Sequence, residues 1–198
     1  AGMRSPTDLI DKRPVCPSDD EKTGARALSL EEVAQLSEDF VAAAERAEKA
    51  GFDGVEIHAA HGYVLCQFLS PTINKRRDRY GGSLENRARI IFEIVDGIRA
   101  RCRPDFLLGV RLSPERFGVR MAEIRTLAQQ LMTTAEIDFI DMSLWDCFKE
   151  PEEEEFQGQS LMSYFTDLAR GDVRLGVAGN LRTGADAARC IDMGADSI

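Results

Sequence analysis

Apolar positions along this chain switch repeatedly between a helical period and a strand period. Ser29-Leu30-Glu31-Glu32 has the form of a capping box, with Ser29 as N-cap and Glu32 reaching back. Behind it Val33, Leu36, Phe40, Ala43, Ala44 and Ala47 fall at helical spacing, and Gly51 stands where such a helix ends. A strand follows over 53–58, rich in β-branched residues. The unit then repeats. Ser83 caps a predicted helix through Arg101, and a strand follows over 106–112. A helix over 121–134 leads to a strand at 138–142, a short helix over 161–169 to a strand at 173–178, and a helix over 184–193 to the opening of a fifth strand at 194–198.

Alternating strands and helices imply a parallel sheet, either doubly wound and open or closed into a (β/α)8 TIM barrel. The strand exits decide between them. Each complete strand ends in a chemically capable residue: His58, then Arg111, then Ser143, then Gly179-Asn180. Chemistry drawn from several successive strand ends is the habit of the barrel, so the expected fold is an incomplete (β/α)8 TIM barrel with about five of eight βα units, since a full one takes roughly 250 residues. The reading is of one partial domain over 1–198. Within it, 1–28, broken by Pro6, Pro14, Pro17 and Gly24, is a surface loop and 29–198 holds the βα repeats.

Composition narrows the function classes. The formal net charge is -9 and the sequence pI about 4.9, which argues against nucleic acid or an anionic membrane as main partner. No apolar run approaches the roughly 20 residues of a membrane span, and no signal-peptide pattern opens the chain. The five cysteines are scattered without a C-x-x-C, which points to free thiols and a reducing, cytoplasmic setting. The pattern leaves a homo-oligomer open.

The only two histidines stand together in His58-Ala59-Ala60-His61-Gly62-Tyr63. Three readings compete. They are packing groups, or zinc ligands helped by Glu56, or hydrogen-bond donors that polarise a substrate oxygen with the Tyr63 phenol as proton donor. The metal reading lacks further ligands, because no other histidine exists and no cysteine is suitably spaced. Arg111 leaves an apolar strand and needs an anion or an electron-rich ring, either in a salt bridge across the barrel mouth or in a bound cofactor. Gly179 and Asn180 open a strand-to-helix turn able to cradle phosphate. The acidic run 152–155 reads as a solvated loop face, and Lys75-Arg76-Arg77-Asp78-Arg79 carries its own counter-charge.

The stretch from Gly51 to Tyr63, with Gln67-Phe68-Leu69-Ser70-Pro71, Asn74, Arg76, Asp78 and Tyr80-Gly81-Gly82-Ser83-Leu84-Glu85-Asn86-Arg87, resembles the old yellow enzyme family of FMN-dependent oxidoreductases. The likeness is dense over 28–114 and looser beyond. It implies a (β/α)8 barrel with FMN at its C-terminal mouth, NADPH or NADH as reductant, and reduction of the C=C bond of an α,β-unsaturated carbonyl compound. By the motif match, His58 and His61 would bind the carbonyl oxygen and Tyr63 would supply the proton. Arg111 would contact the flavin ring, and Gly179 and Asn180 its phosphate. Two departures stand against this. Cys66 sits where a polar residue is more usual, and flavin-binding residues expected before Ala1 and after Ile198 lie outside the sequence. The alternative is a truncated, non-catalytic paralogue or a fragment of that family, with no flavin turnover.

Overall fold

The computed structural model describes residues 2–4 and 14–198. A short 3-10 turn, Gly2–Arg4, and two brief strands, β1 (Val15–Cys16) and β2 (Arg26–Ala27), precede the repeats. These are followed by α1 (Leu30–Lys49), β3 (Gly54–Ala59), α2 (Val64–Leu69), α3 (Leu84–Arg101) and β4 (Leu107–Leu112). Then come α4 (Met121–Thr134), β5 (Phe139–Ser143), α5 (Ser163–Thr166), β6 (Arg174–Ala178) and α6 (Gly184–Asp192).

Strands β3-β4-β5-β6 form a parallel sheet in sequence order, as successive βα units of a barrel do. The expected opening of a further strand pairs with β6 through one parallel bridge, Gly176 to Ser197.

The register explains the two faces of this sheet. Ile57, Val110, Ile140 and Leu175 share one level, and Ala59, Leu112, Met142 and Val177 another. All eight are buried, packed with Val33, Val41 and Ala44 of α1, Ile91, Ile94 and Ile98 of α3, and Leu127 and Leu131 of α4. Alternation puts the intervening level, His58, Arg111, Asp141 and Gly176, on the opposite face, with Glu56, Gly109 and Phe139 one step below. Gly109 makes room there, since a Cβ on it would fall 2.1 Å from the Phe139 ring. The apolar side chains therefore drive the helices onto one face, and the other keeps its polar groups half-buried.

Local signals act as written in the sequence. Ser29 Oγ accepts from the Glu32 amide at 3.2 Å and Glu32 Oε2 from the Ser29 amide at 2.8 Å, which completes the capping box. Three expectations need correction. Residues 14–28 are not simply loop: β1 and β2 pair in parallel, and Cys16 of β1 is fully buried. The remainder of the expected loop, residues 1 and 5–13, lies outside the described residues. The helix expected over 161–169 shortens to Ser163–Thr166. Helix α2 was not anticipated; all six of its residues are buried, so it shows no polar face from which a period could be read.

Between α2 and α3 a polar brace closes the chain. Asn74, 4% exposed, donates to the carbonyls of Phe68 at 2.8 Å and Tyr80 at 2.7 Å. Arg76 pairs with Asp78 at 2.7 Å and donates to the Pro17 carbonyl at 2.9 Å, tying the first residues to the barrel. Arg87 is buried, donating to the carbonyls of Leu69 and Gly82 and pairing with Glu123 of α4 at 2.6 Å. Much of the motif between Gln67 and Arg87 is thus architecture.

Candidate active site

The exits of β3, β4, β5 and β6 lie side by side because the strands are parallel and in register. Leaving β3, the chain turns through His61, whose φ of 58° is left-handed, and starts α2 at Val64. That turn folds His61 and Tyr63 back over His58. The ring centroids are 5.0 Å apart for His58 and His61, and 5.4 Å for His58 and Tyr63. The His61 amide donates to Ser113 Oγ at 3.0 Å, which fixes the turn to the exit of β4. Arg4, which the sequence did not single out, reaches the same place. It donates to the His61 carbonyl at 3.0 Å and lies over the Phe117 ring at 4.8 Å.

Burial lowers the pKa of His58, and the nearby His61 and Arg111 push in the same direction. His61 is lowered by burial first and by the Arg111 charge second. Both imidazoles are therefore neutral at neutral pH, each with one N–H to donate.

Arg111 sits between two carboxylates. Its Nη2 donates to Asp141 Oδ2 at 2.6 Å on the next strand. Its Nε lies 2.7 Å from Glu56 Oε1 in an ion pair, yet the N–H is not aimed well enough to count as a hydrogen bond. Burial raises the pKa of Glu56; Arg111 opposes that shift and Asp141 adds to it. The carboxylate considered as a zinc ligand is thus engaged by an arginine. Among the described residues no group of three or more His, Cys, Asp or Glu side chains gathers in metal-binding geometry.

At the exit of β6, Gly179 packs against the backbone of the β5 exit so closely that a Cβ would lie 2.9 Å from the Asp146 amide nitrogen. Asn180 follows with a φ of 50°. Its side chain is already occupied, donating to Asp146 Oδ2 at 2.9 Å and accepting from Arg182 Nε at 2.9 Å. Asp186 Oδ2 takes the amides of Arg182 and Thr183 at 3.1 and 2.9 Å, closing a capping box on α6.

A cavity of about 240 Å³ joins these exits, lined by His61, Arg111, Ser143, Ala178 and Gly179 and walled by Arg116, Phe117 and Trp145. His58 and Tyr63 border a second depression with Phe40 and Val64. The structure therefore brings His58, His61 and Tyr63 together, sets Arg111 and Gly179 on the same cavity as His61, and leaves Asn180 bonded beside it.

The acidic run is more than a solvated face. Glu152 Oε1 pairs with Arg116 Nε at 2.7 Å, and Glu153 Oε1 accepts from the Met121 amide at 2.6 Å, so two of its residues tie the β5 exit loop to the β4 exit loop. Nothing in a run of like charges signals partners more than 30 residues away.

The cavity residues suit a flat cofactor with an anionic tail. Arg111 offers a cationic guanidinium whose Nε–H is poorly aligned with its Glu56 partner, and Gly179 keeps the β6 exit free of a side chain. A parallel βα array with its polar groups at the strand exits, and a cation and a bare backbone turn on one cavity, is the arrangement of a βα-barrel with its site at the C-terminal ends of the strands. The chain belongs to the NADH:flavin oxidoreductase / NADH oxidase family, whose model matches residues 1–168. It is 36% identical over 204 residues to the Bacillus subtilis protein YqiG, whose name places it among NADH-dependent flavin oxidoreductases; the match covers 98% of this chain and 55% of that protein. The old yellow enzyme homologue from Zymomonas mobilis superposes with a TM-score of 0.79 at 30% identity, covering 100% of this chain and 59% of that one. Morphinone reductase gives 0.71 at 32% identity, with 93% and 54% covered. The chain thus spans a little over half the length of these relatives and shares their TIM-barrel architecture over that part.

Proposed function

We propose that the protein to which this chain belongs is an FMN-dependent oxidoreductase that uses NADPH or NADH to reduce the C=C bond of α,β-unsaturated carbonyl compounds. The observation that carries the reading is the gathering of His58, His61 and Tyr63 at one strand exit, the His61 and Tyr63 rings lying 5.0 and 5.4 Å from that of His58, beside Arg111 on the neighbouring strand.

Bound FMN supplies the hydride that reaches the β-carbon. The chain's own residues do the rest. His58 and His61, both neutral, donate hydrogen bonds to the carbonyl oxygen and stabilise the negative charge that builds there. The Tyr63 hydroxyl gives its proton to the α-carbon. Arg111 would contact the flavin ring and favour negative charge on its reduced form. Gly179 and Asn180 would hold the phosphate through the backbone of their turn, since the Asn180 side chain and the amides of Arg182 and Thr183 already have partners. Five free cysteines, with no disulfide among them, support a reducing compartment. No helix among the described residues is long and apolar enough to cross a membrane.

The rival is a scaffold that keeps the family fold without turnover. The engagement of Arg111 by Glu56 and Asp141 favours it. Stopped-flow spectroscopy of the full-length protein separates the two. With Tyr63→Phe, flavin reduction by NAD(P)H keeps its rate and reoxidation by an enone slows by about 10²-fold or more. Equal slowing of both halves contradicts the proton-donor role, and a full-length protein that takes up no flavin colour leaves the scaffold.

A further inference from the structure

Five residues other than glycine among the described ones have left-handed backbone: His61, Arg116, Phe117, Trp145 and Asn180. Each sits in the loop just past a strand exit, and four of the five line the cavity at His61 and Arg111. A non-glycine residue there costs on the order of 1 kcal/mol or more, and clustering of such strain marks a site whose geometry is enforced by its surroundings.

The enforcing contacts are visible for Arg116, Phe117 and Trp145. Glu115, 5% exposed, accepts from the Glu152 amide at 2.8 Å and pairs with Lys149. Arg116 pairs with Glu152 and lies over the Trp145 ring at 4.5 Å. Phe117 is held under Arg4 at 4.8 Å. The loops after β4 and β5 are thereby locked together. Yet Trp145, backed on one face by a guanidinium, remains 63% exposed. It is the only tryptophan of the sequence, and it is left uncovered at the mouth of a cavity. An indole fixed in strained backbone and left bare makes physical sense as a platform that a ligand ring covers.

We propose that Trp145, backed by Arg116 and flanked by Phe117, is the specificity wall of this site and selects conjugated carbonyl compounds that carry a flat aryl ring beyond the reacting double bond; this rests on the function proposed above. The Glu115–Lys149 pair is the positioning device that holds the wall.

Calorimetric titration of the flavin-loaded full-length protein tests this with two saturated ketones that cannot be reduced at a C=C bond, 4-phenylbutan-2-one and butan-2-one. Trp145→Ala is expected to raise the Kd of the phenyl ketone about tenfold and to leave that of butan-2-one within about twofold. Trp145→Phe restores most of the phenyl affinity. Lys149→Met, which leaves the indole in the chain but frees the loops, loses the preference between the two ketones by several fold. An equal change for both ketones in Trp145→Ala, or none for the phenyl ketone, overturns the proposal. If the ring preference holds while no enone is turned over, the wall stands and the reductase reading falls. Turnover of enones without any ring preference does the reverse.

Discussion

Two arginines show how differently one side chain is used in two regions of this molecule. Arg87 lies in the brace between α2 and α3, 2% exposed, and spends its donors on two backbone carbonyls and Glu123. Arg111 lies on the open face of the sheet, a third exposed, between Glu56 and Asp141, with one N–H left unaligned. The first is a knot: its partners are fixed backbone atoms, and a carbonyl has nowhere else to turn. The second is held by side-chain carboxylates, one of which has its pKa raised by burial and by its neighbour. A guanidinium held that way can exchange a partner when a better-placed acceptor arrives, at little cost to the fold.

That contrast breaks most readily at Arg87. Arg87→Ala strips the Leu69 and Gly82 carbonyls and Glu123 of their donor and is expected to cost about 3 kcal/mol of stability, read as a shift in the urea unfolding midpoint. Arg111→Ala is expected to cost about 1 kcal/mol by the same measurement, since the pair is partly exposed. Its larger effect falls on the ligand, with FMN affinity about tenfold weaker, followed by the fluorescence of released flavin. Should the two variants destabilise equally, the distinction between knot and site fails.

The smallest effect concerns pH. The unfolded imidazoles titrate near 6.5, and His58 and His61 are lowered in the fold. The unfolded chain therefore binds more protons in that window. The histidine contribution is fully present above 6.5 and is lost as pH falls through the folded values. Glu56, raised in the fold from 4.5, has the opposite sign and favours the fold at the acidic end. Unfolding midpoints at pH 7.5 and 5.5 should thus show an acid-side loss that shrinks in a His58→Asn/His61→Asn variant. A slope unchanged by that double substitution would place the titration elsewhere.

What the sequence made legible follows the same division. Helix α4 runs over the predicted 121–134, because its apolar positions keep a clear period beside a solvated face. The strands stand within a residue or so of expectation, since alternation sets their register against the helices. His58, His61 and Tyr63 stood out as the only histidines with a phenol two and five places on. The partners of Arg111 were harder to see. Glu56 could be placed on the His58 side of its strand, but Asp141, 30 residues beyond Arg111, becomes a neighbour only once β4 and β5 are paired. The Glu115–Lys149 link and the roles of Glu152 and Glu153 were invisible for the same reason: loop-to-loop contacts leave no period. The parts dictated by local spacing could be read, and the parts that depend on which loops meet could not.

The buried sulfurs carry a consequence of their own. All five cysteines are buried, and burial raises every thiol pKa, that of Cys66 to about 11 and that of Cys147 to about 12. A conjugated carbonyl is an electrophile, and the nucleophile that adds to its β-carbon is the thiolate. Cys66, three residues past Tyr63, is the sulfur nearest in sequence to the proposed substrate, and it is kept protonated and out of reach. Thiols held in this way resist alkylation by conjugated carbonyl compounds of the kind proposed as substrates.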